Sequence, residues 1–301
     1  MERAAVDERF VRALVRDRHP HLAGLEVRPV ASGWDNQLWR LGDELAVRLP
    51  MTERAPGLLR KEFRWLPGLA ERLPLPVPTP RFLCEPGDLF PRPWTIVSWV
   101  PGRPADDAEI TDVGRAVTNL AGFLRALHGP APADAPRDPG RGVPLAGLTD
   151  GFVNQLADVA GALDTDDVPD IRRVWDEAVA APLWTGPALW LHSDLHPANA
   201  VVTDGAISGI VDFGDLCSGD PAIDLSAAWK LLPQGADAAF FDACGVTDGA
   251  TVRRARGWAL QTALMMISVG RAFDRGLPGG QPTWGRAGRR VLARVLASAR
   301  V

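Results

Sequence analysis

The sequence predicts an α+β fold with two lobes, a β-rich N-lobe followed by a mainly helical C-lobe. Short β-rich runs alternate with one helical segment in the first hundred residues, and helical patterns dominate beyond Gly102. A strong hairpin signal, Asp204-Gly205, lies within the second part. We expect the N-lobe over residues 1–99, the C-lobe over residues 100–301, and the hairpin at the cleft between them.

Three β-rich runs separated by turns open the N-lobe: Val27 to Ala31, Gln37 to Leu41 and Leu45 to Leu49. Leu58 to Leu66 then has apolar residues at helical spacing, and Pro67 should end or kink this helix. The run from Trp94 to Val100 predicts the last strand of the lobe and a hinge at Pro101-Gly102.

Glu62 lies on the edge of the apolar face of that helix, one turn from Leu58 and Leu66. A carboxylate in this position needs a cationic partner. Arg48 alternates with the apolar residues of the third strand and is the best-placed candidate. The pattern therefore predicts an ion pair between Arg48 and Glu62.

The C-lobe begins with an apolar stripe from Val113 to Leu127, which His128-Gly129-Pro130 ends. Pro130 to Pro144 is rich in Pro, Ala and Gly, so we expect a surface connection. Further helical patterns cover about 151–163, 169–181, 221–232, 251–275 and 284–299.

The residues around the Asp204-Gly205 hairpin are the most informative in the chain. If this dipeptide forms a two-residue turn, Asn199 faces Ile210 and Asp212 lies diagonally across on the same face. Such neighbours are about 7–8 Å apart, a span that one cation can bridge. An amide oxygen with a carboxylate suits Mg²⁺, and Asp194 is then free to act as a base.

The motif His192-x-Asp194-x-His196-x-x-Asn199, followed by Asp212-Phe213-Gly214, resembles the catalytic machinery of protein kinases. With the later Asp220-Pro221-x-x-Asp224-Leu225, it looks most like the aminoglycoside phosphotransferase family. These are small-molecule kinases that share the protein-kinase fold. The resemblance extends from about Val27 to Trp229.

The resemblance implies a role for each matching residue. Asp194 would accept the hydroxyl proton, Asn199 and Asp212 would hold Mg²⁺, and Arg48 with Glu62 would hold the nucleotide phosphates. Arg48 departs from the family pattern, which has Lys there. Lys61 is the alternative cation for the phosphates, although a lysine on the exposed face of the helix is the simpler explanation. The resemblance further implies a turn over the phosphates at Ser32 and Gly33, a purine contact through the backbone of Ser98, Trp99 and Val100, and support of the catalytic loop by His192 and Asp224.

Simpler explanations exist for several of these residues. Ser32-Gly33 is compatible with a plain turn, and Ser98 to Val100 with a plain buried strand. Asp220 followed by Pro221 is an ordinary helix N-cap, and Asp224 suits the first turn of that helix. His192-x-Asp194-x-His196 could also be part of a zinc hydrolase site, although no further His lies nearby in the sequence. The role of His196 stays open.

Composition excludes several classes of function. The chain has 301 residues, 46% hydrophobic, with a net charge of −4 and therefore no basic footprint for nucleic acid. No apolar stretch is long enough for a membrane span, and the N-terminus lacks the apolar core of a signal peptide. Three cysteines without metal-ligand spacing fit reduced thiols in the cytoplasm. The oligomeric state is not predicted.

These observations predict an ATP- or GTP-dependent O-phosphotransferase acting on a small-molecule hydroxyl, of the antibiotic-phosphotransferase type. The alternatives are a kinase of a small metabolic alcohol, similar to choline or homoserine kinases, and a catalytically silent nucleotide-binding protein. An aminoglycoside acceptor would need carboxylates, which are densest in the run from Asp164 to Asp170. A macrolide or other amphipathic acceptor would need an apolar pocket, for which the candidate lining residues are Trp258, Met265, Met266 and Trp284.

Overall fold

The computed structural model describes residues 6–300, except for the side chains of Ala31 and Ser32. The chain divides into two compact units. Unit 1 contains the residues up to Pro101 together with Val211–Gly214, and unit 2 contains Gly102–Ile210 and the residues from Asp215 onward. A nucleotide-binding role for the N-lobe, residues 1–99, and a catalytic, acceptor-binding role for the C-lobe, residues 100–301, stay predictions.

Unit 1 is built on an antiparallel five-stranded sheet with the order β1-β2-β3-β5-β4. Its elements are α1 (Glu8–Arg18), β1 (Val27–Ser32), β2 (Asn36–Leu41), β3 (Leu45–Pro50), α2 (Ala55–Ala70), β4 (Pro80–Cys84) and β5 (Trp94–Ser98). Buried apolar residues of α1 and of the sheet, among them Val11, Leu41 and Trp94, form one core. The β-rich runs predicted for this part of the chain are therefore strands.

Helix α2 continues past Pro67 to Ala70, so the first of the two predicted outcomes, that Pro67 ends the helix at Leu66, is wrong. The second, a kink at this position, stays a prediction. Proline removes only one backbone donor, and the apolar face of the helix continues beyond it. Leu66 is fully buried and Leu69 is nearly so. Packing of this last turn outweighs the unfavourable local propensity of proline.

Unit 2 is mainly helical. Its helices are α3 (Val113–Leu127), α4 (Thr149–Val159), α5 (Asp167–Ala180), α6 (Ala222–Leu225), α7 (Ala227–Lys230), α8 (Asp237–Cys244), α9 (Gly249–Asp274) and α10 (Trp284–Ser298). Its strands are β6 (Arg103–Pro104), β7 (Leu189–Leu191), β8 (Ala200–Thr203), β9 (Ala206–Ile210) and β10 (Cys217–Gly219). Strands β7 and β10 pair with each other, and β6, β8 and β9 form a second small sheet.

The β8–β9 hairpin turns at Asp204-Gly205 as predicted, and both turn residues have positive φ, 49° and 73°. Its register nevertheless shifts between Val201 and Val202, so that Ala200, not Asn199, is paired with Ile210. The predicted pairing of Asn199 with Ile210 is therefore wrong. A β-bulge adds one residue to one strand and moves every later pair by one position.

No helix within residues 6–300 is both long and apolar enough to cross a membrane.

Candidate active site

The segment from His192 to Asn199 joins β7 to β8 in unit 2 and ends in a 3₁₀ turn, Pro197–Asn199. We call this segment the catalytic loop. Its second residue, Ser193, has a φ of 66°, which is costly for a residue other than glycine. Such a conformation persists only where several contacts enforce it.

Asp224, on helix α6, provides two of those contacts. Its fully buried carboxylate accepts hydrogen bonds from the N–H groups of His192 at 2.8 Å and Ser193 at 2.7 Å. His128 Nε2 lies 3.2 Å from the same carboxylate. Burial alone would raise the pKa of Asp224, but His128, His192 and the Ser193 N–H lower it. Asp224 thus holds the start of the catalytic loop as an anion.

Asp194 is the acidic residue of the loop, and 26% of its side chain is exposed. Its Oδ1 lies 2.9 Å from Arg141 Nη1, and its Oδ2 lies 3.3 Å from Asn199 Nδ2 and 3.5 Å from His196 Nε2. Burial alone would raise the pKa of Asp194, but His196 and Arg141 hold it well below its usual range. The carboxylate is therefore charged, oriented and open on one side.

Asn199 faces the loop with its amide nitrogen. Nδ2 donates to the backbone oxygen of Asp194 at 3.0 Å, and His196 Nε2 lies 3.1 Å away. Because the nitrogen is engaged inside the loop, the side-chain oxygen is the atom left for a ligand. An amide oxygen is a suitable donor for Mg²⁺.

The two histidines of the loop are engaged within it. His192 Nδ1 accepts from the Asp194 N–H at 3.2 Å, and the ring of His196 meets Trp284 edge-on at 4.9 Å. Among residues 6–300, no three His, Cys, Asp or Glu side chains are placed to hold one metal ion. Within that part of the chain, no group of side chains matches the three-ligand set that the zinc hydrolase alternative requires.

In unit 1, the predicted ion pair between Arg48 and Glu62 is present. Arg48 Nη1 donates to Glu62 Oε2, and both side chains are buried. Glu62 Oε1 also accepts from the Phe213 N–H at 3.1 Å. Burial alone would lower the pKa of Arg48, but Glu62 and Asp212 outweigh it and raise that pKa. Arg48 is therefore a fixed positive charge.

Asp212 is exposed and has a φ of 62°. Its Oδ1 lies 3.3 Å from Arg48 Nη2 and accepts from the Gly214 N–H, also at 3.3 Å. Oδ1 is thus turned toward these two donors, and Oδ2 is available to a ligand. The residue presents a carboxylate oxygen in unit 1, as Asn199 presents an amide oxygen in unit 2.

The remaining predicted nucleotide contacts lie in the turn between β1 and β2 and at the end of β5. The Gly33 N–H donates to Asn36 O at 2.9 Å, and the Ser32 side chain is outside the described part of the chain. The Ser98 N–H donates to Thr79 O at 2.9 Å, and the Trp99 N–H to Glu44 O at 2.7 Å. Two of the three backbone N–H groups of this segment are therefore engaged within unit 1, and the purine contact through the backbone of Ser98, Trp99 and Val100 stays a prediction.

Several charged residues near the catalytic loop were not predicted from the sequence. Arg141 contacts Asp194, and its Nη2 also lies 2.8 Å from Asp215 Oδ2. Lys230 is buried, and burial lowers its pKa to about 8 against the opposing effects of Asp224 and Asp194. The only signal for Arg141 was its position between two glycines in a Pro-rich run. A lysine in an otherwise apolar short helix was the signal for Lys230.

Comparisons with known proteins identify the family of the chain. A model of the phosphotransferase enzyme family, APH, matches residues 26–258. Aminoglycoside 3'-phosphotransferases from Escherichia coli and Salmonella typhimurium are 27% and 26% identical to this chain over 167 residues. That alignment covers 54% of this chain and 60% of each relative, so the chain spans about three fifths of the relatives' length.

Solved structures resemble the chain over nearly its whole length. The GDP complex of aminoglycoside 2'-phosphotransferase-IIIa has a TM-score of 0.72 at 18% identity, covering 98% of this chain and 100% of that one. The macrolide 2'-phosphotransferase from Brachybacterium faecium has a TM-score of 0.62 at 20% identity, covering 95% and 97%. These likenesses confirm the predicted α+β fold of the kinase-like phosphotransferases. Since the family model spans every motif from Arg48 to Asp224, the chain belongs to the phosphotransferase enzyme family.

Proposed function

We propose that this chain is an O-phosphotransferase that transfers the γ-phosphoryl group of ATP or GTP to a hydroxyl of a small molecule. The observation that carries the proposal is the catalytic loop. There, the Asp194 carboxylate is anchored on both oxygens yet partly exposed. A carboxylate held in this way suits a hydroxyl acceptor, because phosphoryl transfer depends mainly on positioning and charge.

The reaction follows from the roles of these residues. The acceptor oxygen attacks the γ-phosphorus, the bond from the γ-phosphorus to the β–γ bridging oxygen breaks, and the nucleoside diphosphate leaves. Asp194 orients the hydroxyl and takes its proton. Arg48, fixed by Glu62, neutralises charge on the phosphates.

The donor atoms of this chain fit Mg²⁺. Asn199 offers an amide oxygen because its nitrogen is engaged in the loop, and Asp212 offers a carboxylate oxygen. Mg²⁺ prefers oxygen ligands, takes few of them from protein and completes its shell with water and phosphate. When bound, the ion would neutralise charge on the nucleotide phosphates. Asn199 and Asp212 are the residues proposed to hold it.

The acceptor is proposed to be a hydroxylated natural product, as in the aminoglycoside and macrolide phosphotransferases that resemble this chain. Asp170, in the densest acidic run, is already paired with Arg300 at 2.7 Å and Arg173 at 3.3 Å. Asp170 is therefore less available to a polycation than an unpaired carboxylate would be. Of the apolar candidates, Trp258 and Met266 are buried core residues, whereas Trp284 is half-buried beside His196. These observations favour an amphipathic acceptor.

We further propose that the protein acts in the cytoplasm, because its proposed donor is a nucleoside triphosphate.

The test is phosphoryl transfer by the purified chain with Mg·ATP or Mg·GTP. The acceptor panel contains aminoglycosides, macrolides and small metabolic alcohols, and mass spectrometry detects the phosphorylated product. Metal-dependent product formation with any acceptor supports the proposal, with chelated metal as the control. Nucleotide binding without transfer across the panel would instead favour a catalytically silent protein.

A further inference from the structure

Arg141 belongs to the segment from Pro130 to Pro144 that sequence analysis treats only as a surface connection. Its Nη1 donates to Asp194 Oδ1 at 2.9 Å and to the Ser193 backbone oxygen at 2.8 Å. Its Nη2 lies 2.8 Å from Asp215 Oδ2. The guanidinium group of Arg141 thus binds both Asp194 in the catalytic loop and Asp215.

The backbone around Arg141 is fixed against the strands that flank the catalytic loop. Gly142 has a φ of 62°, and a Cβ atom there would stand 2.5 Å from the Leu191 side chain. The carbonyl of Gly142 also accepts from the Asp220 N–H at 3.0 Å. Leu191 ends β7 directly before the loop, and Asp220 directly follows β10, so the segment is anchored at both strands.

Asp215 is the second anchor of the guanidinium. Its side chain is buried, and its backbone oxygen accepts from Ser193 Oγ at 2.8 Å. A planar guanidinium can bind two carboxylates along different edges, which the point charge of a lysine does less well. Arg141 therefore has a fixed direction relative to Asp194.

This contact determines how Asp194 can turn. Arg141 holds Oδ1, whereas Asn199 and His196 lie near Oδ2. Without the guanidinium, Oδ1 would lose its nearest donor and the carboxylate could rotate about its Cβ–Cγ bond. Misplacement of a reacting group by about 1 Å can cost about 100-fold in rate.

We propose that Arg141 is a positioning residue for phosphoryl transfer, which fixes the Asp194 carboxylate in the orientation that receives the acceptor hydroxyl. The inference rests on the proposed function. It assigns Arg141 an effect on kcat and not on nucleotide affinity, because the guanidinium contacts the loop that carries the base.

The test compares wild type with Arg141→Ala and Arg141→Lys. Arg137→Ala is the matched control, because Arg137 is an exposed arginine of the same segment. We expect kcat to fall about 100-fold in Arg141→Ala, with an intermediate loss in Arg141→Lys and nucleotide KM within a few-fold of wild type. Guanidinium at a low, non-denaturing concentration should restore part of kcat in Arg141→Ala and in no other variant. Sodium chloride at the same ionic strength is the control and should restore nothing.

Hydrogen exchange of residues 192–199 provides a readout that does not depend on activity. Exchange there should be faster in Arg141→Ala than in wild type or Arg137→Ala. Unchanged exchange, unchanged kcat, or a loss that guanidinium does not rescue would overturn the role of Arg141. If wild type transfers no phosphoryl group, the proposed function fails and the positioning role with it, while the exchange result still decides whether Arg141 holds the loop.

Discussion

The buried carboxylate of Asp224 accepts a hydrogen bond from the Ser193 N–H at 2.7 Å, and this contact holds a positive-φ residue at the start of the catalytic loop. The same carboxylate binds the His192 N–H. Hydrogen bonds to a charged acceptor contribute more than neutral ones, about 1.5–3 kcal/mol each. The geometry of the catalytic loop therefore depends on Asp224, a fully buried residue of helix α6 that lies outside the loop.

Asp224→Asn should lower the free energy of unfolding at neutral pH by about 2–3 kcal/mol, since one charged acceptor is lost. Because the folded-state pKa of Asp224 is lowered, its charge stabilises the fold above its unfolded pKa, about 3.9. That contribution disappears as the pH falls through the folded-state pKa. Urea unfolding at several pH values should show the difference between variant and wild type closing below about pH 4.

Asp242→Asn is the control for this measurement, because Asp242 is exposed on α8. It should unfold as wild type does at every pH. A neutral-pH stability of Asp224→Asn equal to that of wild type would show that the hydrogen bonds contribute nothing net.

Substitutions of Arg48 test the buried ion pair in unit 1. Arg48→Lys should keep more phosphotransferase activity than Arg48→Ala, because a positive charge remains for Glu62 and the phosphates. Arg48→Glu should be the least active, because it places two carboxylates together. Removing one partner of a buried pair costs about 3–5 kcal/mol, so Arg48→Ala should also be less stable. Arg9→Ala is the control, because Arg9 is an exposed arginine on α1. Equal activity in all three Arg48 variants would contradict a role of Arg48 at the phosphates.

Asp212→Ala should weaken Mg·nucleotide binding as well as turnover, because a proposed metal ligand is lost. Calorimetric titration with Mg·ATP and Mg·GTP measures the affinity, with Asp88→Ala as an exposed control in the same unit. The loss should be much smaller for nucleotide titrated in the presence of chelator. An affinity for Mg·nucleotide equal to that of wild type would remove Asp212 from the metal site.

The salt dependence of the acceptor KM separates the two acceptor classes. Recognition of a polycationic aminoglycoside should weaken strongly between low and physiological ionic strength, because exposed charges are screened. An amphipathic acceptor next to Trp284 should show a nearly constant KM. We expect the second result, since the Asp170 carboxylate is engaged by Arg300 and Arg173.

Local patterns predicted the parts of this site that are local in sequence. The Asp204-Gly205 turn and the strands of unit 1 were evident from residue type and spacing. The roles of Asp194, Asn199 and Asp212 stay predictions. The Arg48–Glu62 pair was also predictable, because strand alternation and helix periodicity gave both side chains a direction.

Contacts between distant segments were not predictable in the same way. Arg141 reaches Asp194 from a Pro-rich connection, and no periodic pattern relates the two. The bulge at Val201 depends on how the strands fit their neighbours, which alternation of residue types does not reveal. Helix α2 passes Pro67 because tertiary packing outweighs local propensity.

The variant Asp194→Asn tests whether Asp194 is the base of a phosphoryl transfer. Asparagine preserves the shape of the side chain but cannot take the proton. Turnover with the identified acceptor and nucleotide affinity should be measured on the same preparation. We expect near-abolition of kcat with nucleotide affinity within a few-fold of wild type. A kcat close to that of wild type would contradict it.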